Sequence, residues 1–119
     1  MRRKQGSLVP LEVAICLAAA ELRRDGVDEF HGYDMAKRLR DVSERRLLTA
    51  YGTLYRALAR LENMGLLQSH WEDPAIPARE NRPGRRLYAL TAVGEAAAQE
   101  ARKAAAQLPS RVRRRLVPA

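Results

Sequence analysis

The run Ala50-Tyr-Gly-Thr-Leu-Tyr-Arg-Ala-Leu-Ala-Arg-Leu-Glu-Asn-Met-Gly-Leu66 constrains this chain more than any other part of it. Leu54, Leu58 and Leu61 recur at spacings of four and three, which sets them on one stripe of a helix with about 3.6 residues per turn. Thr53, Arg56, Arg60 and Asn63 fall on the opposite side. Gly65 tolerates the positive φ that ends helices. A leucine spine backed by a Thr/Arg/Asn face suits a DNA major groove. The plainer reading is a surface helix with a solvated polar side. The outer face carries no acid except Glu62 near its edge, and this favours the functional reading.

The chain has 119 residues, enough for one domain that buries roughly two thirds of its unfolded surface. Its net charge of +8 points to a polyanionic partner without separating DNA from RNA or membrane. Cys16 is the single cysteine, so no internal disulfide forms and a reducing compartment is expected. The longest apolar run, Val13 to Ala20, is far short of the ~20 residues of a membrane span. Met1-Arg-Arg-Lys4 is basic, but Pro10 and Glu12 break up the apolar stretch behind it and no convincing cleavage site appears, against a secretory signal. A soluble cytoplasmic protein without a membrane partner is the expectation.

Pro10 suits a first helical turn, and the helix it opens should run to about Arg24, with Gly26 behind it. Leu11, Ile15, Ala18 and Leu22 form one stripe, and Val13, Leu17 and Ala20 cover another side. A helix apolar on more than one side needs two surfaces, its own domain and plausibly a second subunit. A second helix is expected over about Gly32 to Val42, with Met35 or Ala36, Leu39 and Val42 inward and Lys37, Arg38 and Arg40 outward. Ser43 to Leu48 reads as a polar connection, and Thr49 as a cap for the Leu-spine helix. Helix, short turn and helix make a helix-turn-helix whose second member reads.

Beyond Gly65 the period changes. Leu66 to Glu72 and Arg85 to Leu90 read as strands. Asp73 to Gly84 holds three prolines and is expected to be irregular. Two strands and a loop directly behind a recognition helix make a β-wing. From Arg79 to Arg86 there are four arginines against one acid, Glu80, as a phosphate-contacting wing requires. Thr91 can cap a last helix from about Ala92 to Gln107, with Glu95 in its first turn. Ala97, Ala101, Ala104 and Leu108 share a stripe there. Pro109 ends it, and Ser110 to Ala119 is a basic tail, either a DNA anchor, an RNA or acidic-protein contact, or a solubilising end.

Trp71, the sole tryptophan, is expected to pack on the core, the alternative being a ligand platform. His31 and His70 lack partners at ligand spacing, so no metal site is expected. His31 should cap or hydrogen-bond at a helix start, and His70 should belong to the strand. Cys16 reads as an inert small hydrophobe. No phosphate loop, nucleophile elbow or paired acids indicate an enzyme or a cofactor.

The blocks His31-Gly-Tyr-Asp-Met-Ala-Lys-Arg-Leu39, Gly52-Thr-Leu-Tyr-Arg-Ala-Leu-Ala-Arg-Leu-Glu62, Gly65-Leu-Leu67, Trp71-Glu72 and Arg86-Leu-Tyr-Ala-Leu-Thr91 with Gly94 resemble PadR-type transcriptional regulators. The likeness runs from about Leu11 to Glu95. It implies a homodimeric winged-helix repressor on a roughly palindromic operator in double-stranded DNA, of a kind in which many members are released by a small-molecule effector. It places Tyr33 and Lys37 near the DNA backbone, Thr53, Tyr55 and Arg56 at the major groove, and Arg82, Arg85 and Arg86 on phosphate or minor groove. Ala50-Tyr51 stands where family members often carry Ser-Pro, which adds Tyr51 to the candidate contacts. Arg60 joins them from the helix pattern.

The first and last helices of such proteins usually form the dimer. The expected interface is therefore Leu11, Ile15, Ala18 and Leu22 with Ala97, Ala101, Ala104 and Leu108. The last helix is short and has no aromatic residue, so a drug-stacking pocket is not expected on it. The implied fold class is mainly α with a small β-wing. Residues 1–90 form a winged helix-turn-helix, and residues 91–119 a dimerisation helix and basic tail. The rival readings are a sequence-indifferent nucleic-acid binder and a winged-helix protein-interaction module. The operator, the target genes, the ligand and the choice between repression and activation are not written in the residues.

Overall fold

The computed structural model describes residues 8–42 and 51–107, without the side chains of residues 41, 42 and 51. The polar connection over Ser43 to Leu48, the Thr49 cap, Leu108 and the basic tail lie outside the described residues, as does the side chain of Tyr51.

Helix α1 (Pro10–Arg24) runs through the middle of the fold, with Leu11, Glu12 and every residue from Ala14 to Ala20 buried. Pro10 occupies the first turn, and Glu12 reaches back to accept from the Val9 N–H at 2.9 Å, so the start is satisfied by the chain's own carboxylate. Around it pack α2 (Gly32–Val42), α3 (Tyr51–Asn63) and, from another side, α5 (Ala92–Ala106). The second surface expected to await a partner subunit is thus taken largely by α5 of the same chain. Leu11, Ile15 and Ala18 retain 8%, 0% and 0% exposure and leave almost nothing for a second copy. On α5, Gly94, Ala98 and Ala105 face inward and are buried, while Ala97 and Ala101 of the stripe expected at a dimer interface are half-buried and Ala104 is exposed.

In α2, Met35, Ala36 and Leu39 face the core as expected. In α3, Leu54, Leu58 and Leu61 have no exposed surface, a burial worth about 1.5–3 kcal/mol per leucine. Gly65 follows at φ +82°, and Leu66 donates back to the Leu61 carbonyl at 2.9 Å, closing the helix end.

The sheet has three antiparallel strands in the order β1 (Phe30–His31), β3 (Arg86–Leu90), β2 (Leu67–Trp71). Phe30 pairs with Tyr88, and β2 pairs with β3 from Leu67↔Leu90 to Trp71↔Arg86. Strand β1 is an addition to the two strands read from the sequence, being too short to show a period. The Phe30 and Tyr88 rings stack at 5.8 Å.

The stretch expected to be irregular contains a short helix, α4 (Ala75–Glu80). Its prolines explain why. Pro74 and Pro77 lie at the start of the helix, where missing N–H groups cost little, and Asp73 accepts from the Ala75 N–H at 2.9 Å. Asn81 closes the helix at φ +56°, which asparagine tolerates.

Thr91 caps α5 as the sequence indicates. Its hydroxyl accepts from the Gly94 N–H at 3.0 Å and donates to the Gly65 carbonyl at 2.6 Å. Gly94 has no space for a side chain: a Cβ there would lie 2.8 Å from a Leu90 methyl and against the Leu66 backbone. Arg23 completes the attachment of α5, bonding Glu95 at 3.3 Å and the Leu90 carbonyl at 3.4 Å. No helix among the described residues is long and apolar enough to cross a membrane.

Candidate nucleic-acid interface

The leucine spine fixes the rotation of α3, and that rotation presents Thr53 and Arg56 outward. Arg56 is exposed and, among the described residues, donates only to the Thr53 hydroxyl, at 3.3 Å. A guanidinium steadied by a neighbouring hydroxyl and otherwise open is ready to meet a base edge.

Arg60 does not share this freedom. Its side chain turns toward α1 and pairs with Glu12, whose own side chain is only 4% exposed. The helix position agrees with the sequence pattern, and the long side chain engages a buried acid that ties α3 to α1.

The wing arginines divide in the same way. Arg82 is clasped by Glu72 through two hydrogen bonds, at 2.6 and 3.1 Å, and by Glu80 at 2.7 Å, with a further bond to the Pro83 carbonyl. The Glu72 carboxyl is held below its ordinary pKa, chiefly by Arg82, and the Arg82 pKa is raised in turn. Arg82, expected on phosphate, thereby ties α4 to the strands.

Arg85 is different: its backbone N–H donates to Glu72 at 2.9 Å, while its exposed guanidinium makes no hydrogen bond or close ion pair among the described residues and its charge acts on Glu72 from farther away. Arg86 is intermediate. It donates to Ser69 Oγ at 2.9 Å, lies 3.9 Å from Glu62 and sits over the Trp71 ring at 5.5 Å.

Between α3 and the wing lies an open cleft of about 380 Å³, lined by His31, Gly32, Tyr33, Tyr55, Trp71 and the Gly84–Arg86 segment above Tyr88. Of the expected DNA contacts it brings together Tyr33, Tyr55, Arg85 and Arg86. Tyr55 lies across the start of α2 because Gly32 has no side chain; a Cβ there would meet the tyrosine ring at 2.6 Å. Tyr33 is 56% exposed and stacks near His31, whose Nδ1 accepts from the Asp34 N–H at 3.4 Å. The helix-start role expected of His31 is thereby seen. Lys37 stands apart on α2, exposed and without an ion-pair partner among the described residues.

Trp71 departs from expectation. Instead of packing on the core it is 64% exposed, at the end of β2 that projects past the core. His70 points elsewhere, to Glu29 at 2.5 Å, and this hydrogen bond raises its pKa. No cluster of three or more potential ligands for a metal ion occurs among the described residues.

Comparison with known proteins places this geometry. The family model for the transcriptional regulator PadR-like family matches residues 25–100. The chain is similar in structure to a PadR family transcription regulator from hypervirulent Clostridium difficile R20291, with 24% identity, 81% of this chain and 86% of that one covered, and a TM-score of 0.63. It is similar to the conserved protein TM0937, a potential transcriptional factor, at 28% identity, with 92% and 89% covered and a TM-score of 0.64. A PadR family transcriptional regulator from Eggerthella lenta DSM 2243 is 26% identical, with 82% and 73% covered and a TM-score of 0.52. No curated protein matches the chain.

Proposed function

The chain belongs to the PadR-like family of transcriptional regulators, and from that premise we propose that it is a repressor acting as a homodimer on a roughly palindromic operator. It is a regulator and not an enzyme. The observation that carries the proposal is the outer face of α3, where exposed Arg56 is steadied by half-buried Thr53, together with the exposed Arg85 guanidinium on the wing.

In this mechanism two α3 helices enter successive major grooves, one helical turn (~34 Å) or slightly less apart. Arg56 reads a base edge, and Arg85, Lys37 and Tyr33 hold the backbone. The second copy docks on what α1 and α5 leave uncovered: half-buried Leu22, Ala97 and Ala101, and exposed Ala104. Alanine methyls permit a close approach between helices there. Release by a small-molecule effector belongs to the same reading and is supported by the family likeness alone.

The test is a footprint on the promoter upstream of the protein's own coding sequence, with excess random DNA present. Protection of a two-fold site with half-sites about one turn apart is the expected outcome. Diffuse protection that disappears with competitor would sink the repressor reading and leave a sequence-indifferent binder.

A further inference from the structure

Five large apolar side chains are exposed among the described residues, and three of them, Tyr33, Tyr55 and Trp71, line the cleft between α3 and the wing. Such convergence marks an interaction site, because singly scattered apolar side chains are the usual state of a protein surface. The cleft lining holds two arginines and no Asp or Glu.

Trp71 is also held in place. It lies opposite Arg86 across the β2–β3 ladder, and the Arg86 guanidinium sits 5.5 Å from the indole centroid. Arg86 is itself fixed by Ser69 at 2.9 Å, and Ser69 donates to Glu62 of α3 at 2.7 Å. One chain of contacts therefore runs from the recognition helix through Ser69 and Arg86 to an outward-facing indole. The exposed Arg85 guanidinium stands at the same cleft.

An occupant that suits these walls is anionic along its length and apolar on the faces between its charges. A DNA sugar–phosphate strand has this character: deoxyribose faces can lie on aromatic rings while phosphates meet guanidinium groups. We propose that Trp71, with Tyr33 and Tyr55, forms a seat for the backbone of one DNA strand as it passes between α3 and the wing, with Arg86 as the positioning residue. The proposal rests on the DNA-binding reading above and adds a residue and a contact type to it.

Trp71 is the only tryptophan in the chain, so indole emission reports this seat directly. The full chain is titrated with a fluorescein-labelled, mixed-sequence duplex of about 30 base pairs at low salt, since backbone contacts do not depend on sequence. Anisotropy and tryptophan emission are followed in parallel. The expected result is an emission change that saturates with the anisotropy. Trp71→Ala should bind about five- to tenfold more weakly, with the slope of log K against log salt unchanged, because no phosphate charge is lost. Trp71→Phe should retain most of the affinity.

Emission that stays constant while anisotropy saturates overturns the seat, as does a W71A protein that binds as tightly as the wild type. In either case the wild type still binds DNA and the regulator reading stands. A wild-type chain that binds no duplex at low salt removes both.

Discussion

Arg60 on α3 donates to Glu12 on α1, a partner forty-eight residues away in the chain. The same carboxylate accepts from the Val9 N–H at the start of α1. One buried acid therefore caps the central helix and fixes α3 against it. Removing the arginine leaves that buried charge without its guanidinium.

Arg60→Ala should lower stability by about 1–3 kcal/mol, below the cost of a fully buried pair because Arg60 retains a third of its exposure. Denaturant unfolding measures it. The pattern of base preference should be unaltered, and a changed preference with unchanged stability would return Arg60 to the reading face.

Arg56 and Arg85 should separate by the kind of loss they cause. Arg56→Ala should weaken and relax specific binding by about 1–3 kcal/mol, the worth of a bidentate pair with guanine. Arg85→Ala should weaken all sequences about equally and reduce the salt slope by about one. Arg82→Ala, by contrast, should disturb the fold of the wing, since its guanidinium is already committed to Glu72 and Glu80.

Much of this is readable in the sequence. The long helices announce themselves through leucine spacing, Pro10, Gly65 and Thr91, all of which act locally. What a linear pattern gives is the direction in which a residue leaves a helix. It does not give the distant acid that a long side chain finds, and this is why the pattern groups Arg60 and Arg82 with Arg56 and Arg85. Trp71 escapes it for a related reason: alternation assigns a strand residue to a face, but whether that face still has a core behind it depends on where the neighbouring elements end. Helix α4 is hidden by prolines that usually break helices yet are tolerated at a first turn, and β1 by having only two residues.

Gly94→Ala should destabilise the chain by about 1–3 kcal/mol, because the added methyl meets Leu90 and the Leu66 backbone rather than open space. A thermal melt reads this directly. An undiminished melting temperature would mean that α5 does not press on the β2 entry as described.

Two hydrogen-bonded pairs set opposite pH limits. Glu72 has a folded pKa below its ordinary value of 4.5, so its clasp contributes stability above that value and loses it as pH falls through the lowered one. His70 is raised above 6.5, chiefly by Glu29, so its contribution is complete below 6.5 and is lost as pH rises through the raised value. Melting temperature followed against pH should show a shallower acid decline in Glu72→Gln and a shallower decline on the alkaline side in His70→Gln. Curves parallel to the wild type would refute either link.

Cys16 is fully buried in α1, and burial, aided by the Glu12 charge, pushes its thiol up to about 12. The native chain should be inert to a thiol reagent at about pH 8 and should react at once when unfolded in urea, since the thiolate is the nucleophile. Rapid native labelling would show that α1 opens far more often than its packing suggests.

The Arg82 clasp has one further consequence. A wing loop left to wander would surrender backbone freedom of about 1–2 kcal/mol for each residue fixed on complex formation. With α4 closed by Asn81 and Arg82 gripping both Glu72 and Glu80, that ordering is completed when the chain folds. On the proposed reading the wing would meet DNA as a preorganised finger, and the entropy it no longer has to lose would be left to the contacts of Arg85.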